Sequence, residues 1–82
     1  MQLTKLKLNQ TSQIQAINNP PKIKQRLSDL GLIPGTKITP ILNSPTGHIR
    51  AYLAKDTLLA IRDQDAQNIQ VKSPRLRHKR VL

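Results

Sequence analysis

Pro21-Lys-Ile-Lys-Gln-Arg-Leu-Ser-Asp-Leu-Gly-Leu-Ile-Pro-Gly-Thr36 is the stretch whose conformation decides how the rest of the chain is arranged. Ile23, Leu27 and Leu30 recur at i, i+4 and i+7, which places them on one face of a helix, while Lys22, Lys24, Gln25, Arg26 and Ser28 face elsewhere. Pro21 suits the first helical turn, where an amide hydrogen has no partner in any case. Gly31 stands where a left-handed C-terminal residue is wanted, and such a cap folds Leu32 back onto Leu27. Ile33-Pro34-Gly35-Thr36 then carries Pro and Gly at the two central positions of a type II turn, one fixing a negative φ and the other permitting a positive one. The spacing predicts a short amphipathic helix over 21–30, a cap and a sharp turn within six further residues.

On either side of that block the period is close to two. Upstream, Leu3, Leu6 and Leu8 precede Asn9-Gln10, a turn signal because Asn tolerates left-handed backbone. Residues 11–17 alternate imperfectly around Ile14 and Ile17 and predict a strand, which Asn18-Asn-Pro-Pro21 stops. Downstream, residues 36–43 predict a strand in which Pro40 belongs at an edge or a bulge, since it cannot donate to a ladder. After the Pro45-Thr-Gly47 turn, residues 48–54 set Ile49, Ala51 and Leu53 against Arg50, Tyr52 and Ala54. Lys55-Asp56 reverses the chain into 57–62, with Leu59 and Ile61 inward, so these two runs predict a hairpin. Asp63 is placed to cap one helical turn ending at Ala66, before a last short strand, Ile69-Gln-Val71. Several short strands with one inserted helix predict a mainly β fold, a small β-barrel. The domain is expected to span 1–72, with 73–82 a flexible basic tail carrying Arg75, Arg77, Lys79 and Arg80.

Composition narrows the function. At 82 residues a domain buries only roughly 60–65% of the surface of its unfolded chain. Its apolar stock is 12 Leu, 9 Ile, 2 Val and 5 Ala, with no Phe or Trp and Tyr52 as the single aromatic residue. The absence of Cys leaves no disulfide staple, and no apolar run approaches the ~20 residues that span a bilayer. A reducing, cytoplasmic setting is expected. The net charge of +10 favours acidic partners such as nucleic acid, anionic lipid or an acidic protein face.

Catalysis and metal binding find little support. Two His, four Asp and scattered hydroxyls show no catalytic spacing, and the glycines at 31, 35 and 47 match no phosphate-binding loop, so no enzyme activity and no cofactor are expected. His48 has Asp56 as its nearest acidic residue in sequence, too few ligands for a metal site within one chain. Proline-rich peptide capture and base stacking both need aromatic platforms that one tyrosine cannot supply.

The block Arg26-Leu-Ser-Asp-Leu-Gly-Leu-Ile-Pro-Gly35, followed by Ser44-Pro-Thr-Gly47, Thr57-Leu-Leu-Ala-Ile-Arg62, Asp65-Ala66 and Ile69-Gln-Val71, resembles the FeoA family, ferrous iron transport protein A, from about Leu3 to Val71. His48-Ile49 departs from the Asp-Pro that relatives carry after that turn, Asp65 stands where Glu is common, and Asn9 stands where Gly is common. The resemblance implies an SH3-like β-barrel with a helical insertion. It also implies a non-catalytic accessory role in iron homeostasis, beside a large membrane ferrous iron permease that carries a cytoplasmic GTP-binding domain. Candidate partner contacts are Lys22, Arg26, Leu32, Ile33, Pro34 and Gly35. Of the two adjacent apolar residues a cap packs one and leaves the other free, which favours Ile33 as a contact. The basic tail suits an anionic membrane surface, at about 1 kcal/mol per basic residue. Self-association is left open. The alternative is a basic, nucleic-acid-associated small barrel, although without aromatic platforms no nucleic acid is the expected partner; another is a free-standing relative of the barrel attached to some metal-dependent repressors.

Overall fold

A computed structural model describes residues 1–74; the basic tail lies almost wholly outside the described residues. A 3₁₀ turn at Leu3–Lys5 leads into β1 (Ser12–Ile17), α1 (Pro21–Asp29), β2 (Lys37–Asn43), β3 (Ile49–Ala54), β4 (Thr57–Arg62), α2 (Asp63–Ala66) and β5 (Ile69–Val71). The strands form one antiparallel sheet in the order β4-β3-β2-β1-β5. The mainly β, SH3-like architecture with a short helix is thus the one expected. The barrel, however, is open: β4 and β5 are the two ends of the sheet and do not pair with each other.

One aliphatic core holds these layers. Leu3, Leu6, Ile14, Ile17, Leu27, Leu32, Ile38, Ile61, Ile69 and Val71 are buried together around Tyr52. Leu3 and Leu6 reach it because the 3₁₀ turn folds the amino-terminal segment over the sheet, where Val71 donates its amide to Met1 O at 2.8 Å. Gln2 bridges to Gln70, so the outer edge of β5 is closed by the same segment. Asn9 takes φ 67°, the left-handed geometry that Asn accepts best after glycine.

Two local expectations are corrected. Asp63 is the first residue inside α2 rather than its cap; Arg62 holds the cap position, with no side-chain capping bond. The carboxylates of Asp63 and Asp65 still lie in the first turn, where the helix dipole favours negative charge. The helical face also loses its third member. α1 stops at Asp29, and Leu30, at φ −86° and ψ 0°, leaves the helix axis and is 49% exposed. Pro40 sits at an irregularity, because the β2–β3 register shifts between Pro40 and Leu42, beyond the two residues of β2 that pair with β1.

Candidate partner-binding site

The site is built by the cap that ends α1. With Gly31 at φ 91°, the Gly31 amide donates to Ser28 O and the Leu32 amide to Leu27 O, each at 2.9 Å. These are the two bonds of a Schellman motif, and they satisfy carbonyls that the helix end would otherwise leave open. Leu32 is thereby driven into the core beside Leu27, both buried. The next residues form the type II turn, with Gly35 at φ 96° and the Thr36 amide donating to Ile33 O at 3.0 Å. Thr36, itself buried, donates its hydroxyl to Gly31 O at 3.0 Å and so ties the turn back to the cap.

Strand β1 anchors the whole block. Gly35 donates to Ile14 O at 2.7 Å, and the Ile14 amide donates to Thr36 O at 2.9 Å. Backbone so fully bonded cannot relax, and the side chains between its fixed points are held where the geometry puts them. Ile33 is 43% exposed, next to exposed Pro34 and Gly35, and Leu30 adds a second apolar side chain. Lys22, Lys24 and Arg26 are exposed along α1. Between the helix and β1 runs a groove of about 290 Å³. Gln15, Ala16 and Ile17 form one wall, Lys24 and Ser28 the other, and Leu32, Ile33 and Pro34 close its end.

Of the six sequence candidates, five are therefore at the surface and Leu32 is fully buried, contributing the floor rather than a contact. Leu30 was missed, because its helical spacing with Ile23 and Leu27 assigned it to the core. Its place directly before the capping glycine was the signal available: there the helical period no longer applies.

Lys55, at the tip of the β3–β4 turn, lies over the cap. A Cβ added at Gly31 would come within 3.2 Å of the Lys55 side chain. Its ammonium group thus rests near the carboxyl end of α1, where the helix dipole favours a cation.

Other polar side chains near the sheet are committed to the fold or stand apart from this site. Arg50 donates from Nε to Asn43 Oδ1 and from Nη1 to Leu6 O, both at 2.8 Å, and its guanidinium lies 6.0 Å from the Tyr52 ring centroid. It pins the amino-terminal segment to the sheet instead of projecting outward. Burial pushes the Tyr52 hydroxyl above its ordinary pKa, and the neighbouring Arg50 acts in the opposite sense. His48 is exposed in a hollow that it shares with Asp63 and Arg62, not with Asp56. Among the described residues no three His, Cys, Asp or Glu side chains converge as metal ligands would, and no helix is long and apolar enough to cross a membrane.

A model of the FeoA domain matches residues 1–73. The chain belongs to the FeoA family. Among solved structures, the FeoA protein of Chlorobium tepidum is 30% identical, with a TM-score of 0.83 over 87% of this chain and 68% of that one. A FeoA-like protein of Clostridium acetobutylicum is 21% identical, with a TM-score of 0.83 over 98% of this chain and 93% of that one. The FeoA of Stenotrophomonas maltophilia, solved with zinc, is 22% identical with a TM-score of 0.77, over 88% of this chain and 89% of that one. That protein is described as a procaryotic SH3 domain protein and a candidate ferrous iron transport activating factor. No curated protein matches the sequence. Membership of the FeoA family associates this chain with ferrous iron transport.

Proposed function

We propose that this FeoA family member is a non-catalytic accessory protein of ferrous iron uptake that binds the cytoplasmic GTP-binding part of a membrane ferrous iron permease. The observation that carries the proposal is the exposure of Leu30 and Ile33 on backbone pinned by the cap, the turn and β1. Apolar side chains held rigidly in water lose little conformational freedom when a partner covers them, which is the condition under which modest contacts give useful affinity. Lys22, Lys24 and Arg26 flank them, and such charges speed encounter with an acidic surface and set its orientation.

In this account the protein works in the cytoplasm, at the inner face of the membrane that holds the permease. The domain of residues 1–72 makes the protein contact, and the basic segment from Ser73 onward rests against anionic lipid. Titration of the isotopically labelled full chain with the permease's GTP-binding domain, with and without guanine nucleotide, is the direct test. Amide shifts concentrated at Leu30 to Thr36 and along Gln15 to Asn18 are expected. An unchanged spectrum in both nucleotide states, or shifts confined to other surfaces, would reject the proposal.

A further inference from the structure

The two ends of the sheet are finished differently. The outer edge of β5 is closed by Met1 and Gln2, whereas β4 pairs with β3 alone. In a two-residue hairpin Ala54 and Thr57 form the first hydrogen-bonded pair, and the alternation that follows directs the backbone groups of Leu58, Ala60 and Arg62 away from β3. β4 has no second ladder partner on that side, and of these groups only the Arg62 carbonyl, at the cap position of α2, is used by that helix's first turn. Open edges of this kind recruit another strand unless proline, a bulge or an edge lysine blunts them. β4 has no proline, lysine or bulge, its one charged residue, Arg62, stands at its end, its register against β3 is unbroken, and Leu58 is 56% exposed.

A net charge of +10 would keep copies apart, but the charge is unevenly placed. Three of the four acidic residues, Asp56, Asp63 and Asp65, fall between positions 55 and 65, against only Lys55 and Arg62. The β4 end of the molecule is therefore locally balanced.

We propose that β4 pairs antiparallel with β4 of a second copy across a two-fold axis at Leu59, joining two five-stranded sheets into one. Two-fold pairing of this edge must set the even-numbered residues opposite one another, and of the axes this permits those at Leu59 and Ala60 overlap the most of β4. Charge selects between them. The axis at Leu59 brings Arg62 opposite Asp56 of the other copy, twice, whereas the axis at Ala60 sets Arg62 against Leu58. Within one copy Asp56 and Arg62 are about 20 Å apart along the strand and cannot pair, so association supplies each with a counter-charge. Leu58 then lies against Ala60 of the second copy, extending the apolar outer face that Leu53 begins on β3.

Sedimentation of the full chain from micromolar to millimolar concentration tests this, with circular dichroism to confirm folding of each variant. The wild type is expected to dimerise with concentration. Ala60→Pro removes one amide aimed at the open edge and leaves the β3 ladder intact, so it is expected to be monomeric. Arg62→Glu replaces two attractive pairs with two repulsive ones and is expected to weaken the dimer about tenfold or more, and it decides the matter should the proline variant not fold. Leu59→Cys would face its own copy as a non-hydrogen-bonded pair about 4.5 Å apart, within disulfide reach, in a chain that otherwise has no cysteine. It is expected to cross-link under mild oxidation while Ala60→Cys does not. A wild type that stays monomeric throughout, a dimer indifferent to Arg62→Glu, or faster cross-linking at position 60 than at 59 would overturn the proposal.

Discussion

The cap after α1 and the tip of the β3–β4 hairpin both require left-handed backbone, and they meet the requirement with different residues. At the cap and turn the positive φ values, 91° and 96°, fall on Gly31 and Gly35. At the hairpin tip, φ values of 51° and 61° fall on Lys55 and Asp56, where two-residue hairpins favour Asn-Gly. The cap is thus free of backbone strain and stitched by six hydrogen bonds in all, counting those to β1 and from Thr36, while the hairpin tip is strained and its outer strand edge is open. The rigid block is suited to presenting a fixed contact surface. The strained hairpin borders an edge that another strand can occupy.

The difference can be broken most severely at the core of the block. Leu32→Ala is expected to cost about 2–5 kcal/mol in urea denaturation, because a fully buried side chain is removed where the hydrogen-bonded cap prevents collapse. Leu58→Ala, on the outer face of the hairpin, should change stability by no more than about 0.5 kcal/mol. A similar loss at both positions would mean that the two regions do not differ in packing as described.

Backbone substitutions should act with opposite signs. Gly31→Ala forces a side chain into left-handed geometry against Lys55 and is expected to destabilise by about 1–2 kcal/mol. The pair Lys55→Asn and Asp56→Gly relieves strain at the other end and is expected to stabilise by about 0.5–1 kcal/mol, raising Tm by roughly 4–8 °C per kcal/mol. A thermal melt that falls in both cases would show that Lys55 contributes more by covering the cap than it costs at the turn.

A smaller effect belongs to Tyr52, beneath the hairpin. Burial raises its pKa in the folded state above the ordinary value of 10.0. A group raised on folding contributes stability that is complete below the unfolded value and is lost as pH climbs through the folded one. Stability should therefore fall above about pH 10 more steeply in the wild type than in Tyr52→Phe. At neutral pH the variant should be nearly neutral or slightly stabilising, since the buried hydroxyl has no hydrogen-bond partner among the described residues. Equal alkaline slopes in the two proteins would refute the assignment.

These contrasts also explain what could be read from the sequence. The block was legible because each of its special residues answers one geometric demand: proline at a helix start, glycine at φ 91°, and Pro-Gly at a type II turn. Helix, cap and turn follow within a residue of their expected places, as do β1 to β5. The hairpin was harder because both of its alternating sets contain apolar residues. Tyr52 and Ala54 are buried, while Ile49 and Leu53 are left outside, a polarity that only packing against Leu3, Leu6 and the other strands decides. Closure was not legible either, since whether β4 meets β5 depends on how far the sheet curls. Of the sequence candidates, Lys22, Arg26, Ile33, Pro34 and Gly35 lie at the surface while the cap buries Leu32, and Leu30 was passed over because helical spacing continued one residue past the last helical φ and ψ.

The central claim is that the cap region, rather than the sheet face, receives the permease. Affinity of the permease's GTP-binding domain for three forms of the full chain, measured by calorimetry, addresses it most directly. The forms are the wild type, Leu30→Asp with Ile33→Asp, and Leu42→Asp with Leu53→Asp. All four positions are exposed, so each variant is expected to fold with its Tm nearly unchanged. A loss of at least about tenfold in the cap variant and little change in the sheet variant is the result predicted, as two desolvated apolar contacts would give. Undiminished binding by the cap variant, or a loss only in the sheet variant, would contradict it.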